Sequence, residues 1–134
     1  MNATLITNSE LNSLCMQDIR IFEDDSGGVC RLDLRSSPFQ AQIDFFFDNP
    51  VFPDFVAQLE RLKDSLVGKA RLGNCHEEPF IQFEGDGLGH ILVSGKLLDT
   101  TDGRMQHLAF EFQTDQTALS PFIGDLKAVG AGSR

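Results

Sequence analysis

Hydrophobic and polar positions alternate along much of the chain. Residues 16–23 carry Ile19 and Ile21 between polar neighbours. Residues 29–36 set Cys30, Leu32 and Leu34 on one side against Arg31, Asp33 and Arg35 on the other. A period of two is what a half-buried antiparallel strand produces. Between these segments, Asp24-Asp25-Ser26-Gly27-Gly28 reads as a hairpin turn, because glycine reaches the positive φ values of a tight reversal. Ser37-Pro38 ends the second strand. Residues 39–48 form a third, with Ala41, Ile43, Phe45 and Phe47 facing one way and Gln40, Gln42 and Asp44 the other. Phe46 breaks the polar side of that pattern. A ring there needs cover from a helix, a second sheet or a partner, and core packing is the expected reading.

Asn49-Pro50 stops the strand, and the period then changes. Over residues 52–67, Phe52, Phe55, Val56, Leu59, Leu62 and Leu66 recur at helical spacing, opposite Glu60, Arg61, Lys63 and Asp64. Pro53 suits a first turn, Asp54 complements the positive helix end, and Gly68 is a natural stop. Strands return over 69–72, 80–84, 90–99 and 104–114, the last with Leu108, Phe110 and Phe112 on one face. A second helix is expected from Thr117 or Ser120 to Val129, with Ser120 as N-cap and Pro121 at the first helical position. The order βββαββββα predicts a single α+β domain, an antiparallel sheet of six or seven strands with two helices on one face or across an open end. Residues 1–15 are weakly patterned and read as a loosely ordered arm, with a short strand around Leu5 and Ile6 as the alternative, 16–129 as the domain and 130–134 as a frayed tail.

Composition sharpens this picture by exclusion. At 134 residues the chain is long enough to bury a core without staples. It holds 12 Phe but no Trp or Tyr, so its rings suit packing and lack the platforms typical of sugar-binding sites. Twenty acidic residues against 11 basic give a net charge of −9. No basic stripe is present, which argues against direct binding of nucleic acid; the acidic balance points to solubility, to a basic partner or to nothing specific. Three widely spaced cysteines, Cys15, Cys30 and Cys75, without a CxxC, fit free thiols in a reducing compartment. Residues 1–14 lack the basic leader and apolar run of a signal peptide, and no stretch approaches a membrane span of about 20 apolar residues. A cytoplasmic protein is expected.

Candidate chemistry is sparse. Cys75-His76-Glu77-Glu78 gathers a thiol, an imidazole and two carboxylates, but adjacent residues seldom place a base on a nucleophile. Metal ligation would need further ligands at workable spacing, with only His90 and His107 available from elsewhere. Glu84-Gly85-Asp86-Gly87-Leu88-Gly89-His90 matches neither GxGxxG nor a P-loop and is short of the oxygen ligands calcium needs, so it reads as a hairpin connection. No catalytic, cofactor or metal residues are therefore assigned. What remains is a set of carboxylates at turns: Asp24, Asp25, Glu77, Glu78, Glu84, Asp86, Asp99 and Asp102. If several of these turns meet, they form a negative rim that would attract a basic surface.

Two groups of segments carry a family resemblance. The first is Phe45-Phe46-Phe47-Asp48, the helical stretch leading into Val67-Gly68, and Lys69-Ala70-Arg71-Leu72. The second is Gly89-His90-Ile91-Leu92-Val93-Ser94-Gly95 and Leu108-Ala109-Phe110-Glu111-Phe112-Gln113-Thr114-Asp115-Gln116-Thr117. Together they resemble the WapI family of small bacterial immunity proteins over roughly residues 16–128. The most specific piece is Phe-x-Phe-x-Thr-Asp-Gln-Thr. The resemblance implies a non-enzymatic antitoxin that binds and neutralises a cognate toxin, often a nuclease, through a protein–protein interaction. No family motif fixes the toxin-binding residues. The alternative is a small-ligand or regulatory domain with an apolar, Phe-lined pocket between sheet and helix.

Overall fold

Positions 14 and 16 are apolar, and so are 19 and 21, yet a strand of strict period two cannot bury both pairs. A computed structural model, which describes residues 1–24, 26–48, 50–74 and 78–132, shows how the conflict is met. Strand β1 (Ala3–Ile6) pairs with β2 (Asn12–Ile21), and β2 pairs in turn with β3 (Gly28–Ser36). The β2–β3 register shifts between Gln17 and Arg20, at a bulge where Asp18 takes φ 51°. The extra length flips the parity of the strand. Leu14, Met16 and Ile19 are all buried, and Arg20 turns to solvent. Two groups at the start of the chain hold the bulge: the Asn2 side chain accepts from the Asp18 N–H at 3.0 Å, and the Met1 carbonyl from the Ile19 N–H at 2.9 Å. Within residues 1–15, Ala3–Ile6 and the first part of β2 therefore pair in the sheet, as the short strand around Leu5 and Ile6 anticipates. Their polar appearance conceals Ala3, Leu5 and Leu14, all fully buried.

Strand β4 (Phe39–Phe47) completes a first antiparallel sheet of order β1-β2-β3-β4. Helix α1 (Phe52–Ser65) follows, and then β5 (Val67–Gly73), β6 (Phe80–Asp86), β7 (His90–Asp99) and β8 (Gln106–Asp115) make a second antiparallel sheet in sequence order. Helix α2 (Gln116–Gly132) closes the chain. The fold is α+β as the periodicity predicts, with eight strands instead of six or seven, divided between two sheets. β1 is the added strand.

The apolar faces of both sheets and both helices bury into one core. Phe83 of β6 is its junction: its ring lies 6.2 Å from that of Phe55 on α1 and 5.7 Å from that of Phe122 on α2. The helices are further linked by an ion pair between Lys127 and Glu60. Strand β4 runs across the second sheet. Near one end the Ser36 hydroxyl donates to the Glu111 carbonyl at 3.3 Å, Ala41 and Ile43 share a hollow with Leu97 and Leu108, and at the other end the Asp48 N–H donates to the Gly73 carbonyl at 2.8 Å.

One open choice is decided and one expectation is corrected. Helix α2 begins at Gln116, next to the Thr117 start and not at Ser120-Pro121, because the Asp115 carboxylate caps it by accepting from the Thr117 N–H at 3.0 Å and from the Thr117 hydroxyl. Pro121 then lies inside the helix at the cost of one backbone hydrogen bond. Phe46, expected in the core, is 59% exposed. Among the described residues no helix or sheet covers that side of β4, since both helices and the second sheet pack on the inner side, where Phe45 and Phe47 are buried.

Phe83→Ala should cost about 3–5 kcal/mol in urea unfolding, because the Phe55 and Phe122 rings lose their common neighbour. Phe46→Ala should cost about 0.5 kcal/mol or less, as for an exposed side chain. Gly28→Ala should destabilise by about 1–3 kcal/mol, since an added Cβ would stand 2.6 Å from the Arg20 carbonyl oxygen and 2.7 Å from the Phe47 ring. Equal losses for the two phenylalanine variants would contradict this core assignment.

Candidate functional site

The expected carboxylates divide between two places. Glu84 and Asp86 lie at the end of β6, where the chain turns into β7. Both are engaged within the chain. Glu84 pairs with Lys69 at 3.5 Å across the β5–β6 ladder. Asp86 organises its own turn: one carboxylate oxygen accepts from the Leu88 N–H at 2.7 Å and the His90 N–H at 3.2 Å, and the other meets His90 Nδ1 at 2.8 Å. These bonds, the Leu88 N–H first, hold the Asp86 carboxyl below its ordinary pKa. The Gly-rich segment is thus a hairpin connection, with Gly87 and Gly89 at φ 84° and 101°.

The remaining carboxylates border β4 and the opposite end of the second sheet. Glu78 precedes β6 and bridges to His107 Nδ1 at 3.3 Å and Lys96 Nζ at 3.9 Å. Asp99 ends β7 and lines the hollow that holds Ala41, Ile43 and His107. Asp102 sits at φ 61° in the short 3₁₀ turn (Thr101–Gly103) before β8. Asp24 lies in the β2–β3 turn beyond the Phe47 end of β4. Ser26, through its hydroxyl and its N–H at 3.0 Å, holds the Asp24 carboxyl below the usual range. Asp25 and Glu77 lie outside the described residues, as do Cys75 and His76.

Beside the Asp24 turn is a surface that periodicity left unexplained. Phe46, Val29 and Arg20 form a cross-strand row over β4, β3 and β2, on the outer face of the first sheet. Together with Ile21, Phe22, Glu23 and Asp24 they line an open hollow of about 760 Å³. Phe22 is 43% exposed, so two rings stand at this surface. Among the described residues, Arg20 and Glu23 hold no ion pair, unlike Glu78, Glu84 and Asp86. Phe22, Arg20 and Glu23 were missed by sequence reasoning. Their signal was the clash of parity between Leu14/Met16 and Ile19/Ile21, which implies the bulge and sets Arg20 and Phe22 on the same face as Phe46.

Among the described residues no three His, Cys, Asp or Glu side chains converge as metal ligands. Phe45, Phe55, Phe83 and Phe122 are fully buried, and the last three pack ring to ring between sheet and helices, where a Phe-lined pocket was the alternative expectation. Burial pushes the Cys30 thiol up to about 12, so it carries no thiolate at neutral pH. Cys15 is half-buried with its sulfur 3.3 Å from the Thr4 hydroxyl. Among the described residues no helix is long and apolar enough to cross a membrane. Native protein titrated with an aromatic disulfide reagent at pH 8 should leave Cys30 unmodified, and denaturant should release it. Labelling of Cys30 in the native state would contradict its placement.

A surface of exposed rings beside carboxylates is suited to holding another macromolecule. The comparisons agree in kind. No curated protein and no solved structure matches the chain. A family model described as the immunity protein WapI-like family matches residues 7–131, a span that takes in every strand from β2 onward and both helices. The chain belongs to the WapI-like immunity protein family.

Proposed function

We propose that the protein is a non-enzymatic, cytoplasmic immunity protein that binds a cognate bacterial toxin and blocks it, and that the toxin domain is basic and of nuclease type. The observation that carries this reading is family membership over residues 7–131. The net charge of −9 supports the basic partner. A nuclease must present positive charge where it holds phosphates, and an acidic protein seated there would occlude the substrate. On this reading the turn carboxylates Asp24, Asp25, Glu77, Glu78, Glu84, Asp86, Asp99 and Asp102 supply the field that draws the toxin in. They act as a distributed charge, without cofactor or metal. Field and contact are separable roles: long-range attraction speeds encounter, and the groups actually buried at the interface set the lifetime of the complex.

The test is co-expression with the toxin domain encoded beside the gene for this chain. Cells should survive the toxin only when the chain is present, and the two proteins should co-purify. Association should slow by about tenfold or more between low and high salt, because screening removes steering. Absence of both rescue and complex would remove the reading. Rescue with a salt-independent association rate would remove the basic-partner part alone.

A further inference from the structure

The outer face of the first sheet carries an unusual combination. Phe46 and Phe22 are 59% and 43% exposed, although this fold buries Phe45, Phe47, Phe52, Phe55, Phe83, Phe110, Phe112 and Phe122. Phe22 and Phe46 frame one hollow with half-buried Val29, Glu23 and Asp24, whereas Phe39, also 59% exposed, lies outside it. The bulge in β2 creates the arrangement by turning Arg20 outward beside Val29. Bulges recur where a strand must re-aim a side chain. We propose that this hollow is the contact surface for the toxin: it receives a basic protein surface whose apolar side chain seats between Phe22 and Phe46 while its Lys or Arg residues meet Glu23 and Asp24. The inference rests on the immunity-protein reading and specifies where that contact is made.

Charge decides between occupants. A second copy of this chain would bring another −9 and the same acidic rim, so like charges would face each other across the contact. A basic partner finds Glu23 free of any described ion pair and Asp24 bonded only within its own turn. At the far end of the second sheet, Glu84 and Asp86 are engaged with Lys69 and His90. Leu88 is 81% exposed there, but its described hollow holds no second large exposed hydrophobic side chain and is lined instead by polar groups such as His90 and Gln113. Arg20 adds specificity: one carboxylate on the toxin surface would pair with it, and a uniformly basic surface would not. Exposed aromatic anchors surrounded by charged groups are the usual composition of an interface centre, where a few side chains carry most of the affinity.

The experiment measures binding of the full chain to an inactivated form of the toxin domain encoded beside its gene, by calorimetry, for wild type and single variants. Phe46→Ala and Phe22→Ala should each weaken binding by about tenfold or more. Glu23→Lys should weaken binding and slow association, and Leu88→Ala should leave binding unchanged. The Phe variants are surface truncations, and circular dichroism checks that each remains folded. Wild type that binds while both Phe variants bind equally well overturns this inference and leaves the immunity reading intact. A loss with Leu88→Ala as large as that with Phe46→Ala overturns it as well. Self-association of the isolated chain that Phe46→Ala abolishes overturns it in favour of a second copy. No binding by wild type removes the immunity reading and this inference with it.

Discussion

The parity of β2 is the constraint on which the first sheet depends. Leu14 and Met16 lie at even positions and Ile19 at an odd one, yet all three are buried. A regular strand would expose one set, at a cost of about 1.5–3 kcal/mol per side chain left in water. The bulge at Gln17–Arg20 removes that conflict and keeps both halves of the strand facing the core. It needs hydrogen-bond partners for its displaced backbone groups, and Asn2 and Met1 provide them. The first residues of the chain are thereby fixed, β1 is added as an edge strand, and its Thr4 N–H reaches the Asp125 carboxylate of α2 at 3.2 Å. One irregularity thus links the N-terminal strand, the orientation of the sheet and its contact with the last helix.

The same irregularity shapes the surface. With β2 re-phased, the outer face presents Phe46, Val29 and Arg20 in one row, and Phe22 and the Asp24 turn beside it. The inner face takes the rings that need burial. The phenylalanines at inward positions are buried apart from Phe39, which is 59% exposed at the start of β4, and Phe46, one residue out of phase, is exposed to the same extent. An exposed ring contributes little to folding and has its full apolar area available to a partner. On the proposed reading, that separates the side chains that hold the fold from those offered to the toxin.

Most of the fold was legible in the sequence because its elements follow their periods closely. The alternation of Cys30, Leu32 and Leu34, the helical spacing from Phe52 to Leu62 and the Phe110/Phe112 strand all lie where period and turn chemistry put them. Three features were not legible, each for a physical reason. β1 is only four residues long and half polar, so its burial comes from long-range pairing with β2 and not from local pattern. The start of α2 is set by Asp115, a cap that competes with the stronger-looking Ser120-Pro121 signal. The hollow at Phe46 depends on a bulge, and a register shift moves side chains between faces without altering composition. The acidic turns were legible as positions but not as a site: sequence shows that carboxylates gather at turns, and only the fold shows that Glu84 and Asp86 are taken up internally while Asp24 stands beside exposed rings.

Amide hydrogen exchange of the chain, alone and bound to the toxin domain encoded beside its gene, tests the central claim most directly. The account predicts slowed exchange in the complex at the β2–β3 hairpin around Arg20–Val29 and along β4 near Phe46, with the Leu88–His90 turn unchanged. Slowed exchange confined to the Leu88–His90 turn, with the Phe46 face exchanging as in the free protein, would contradict it.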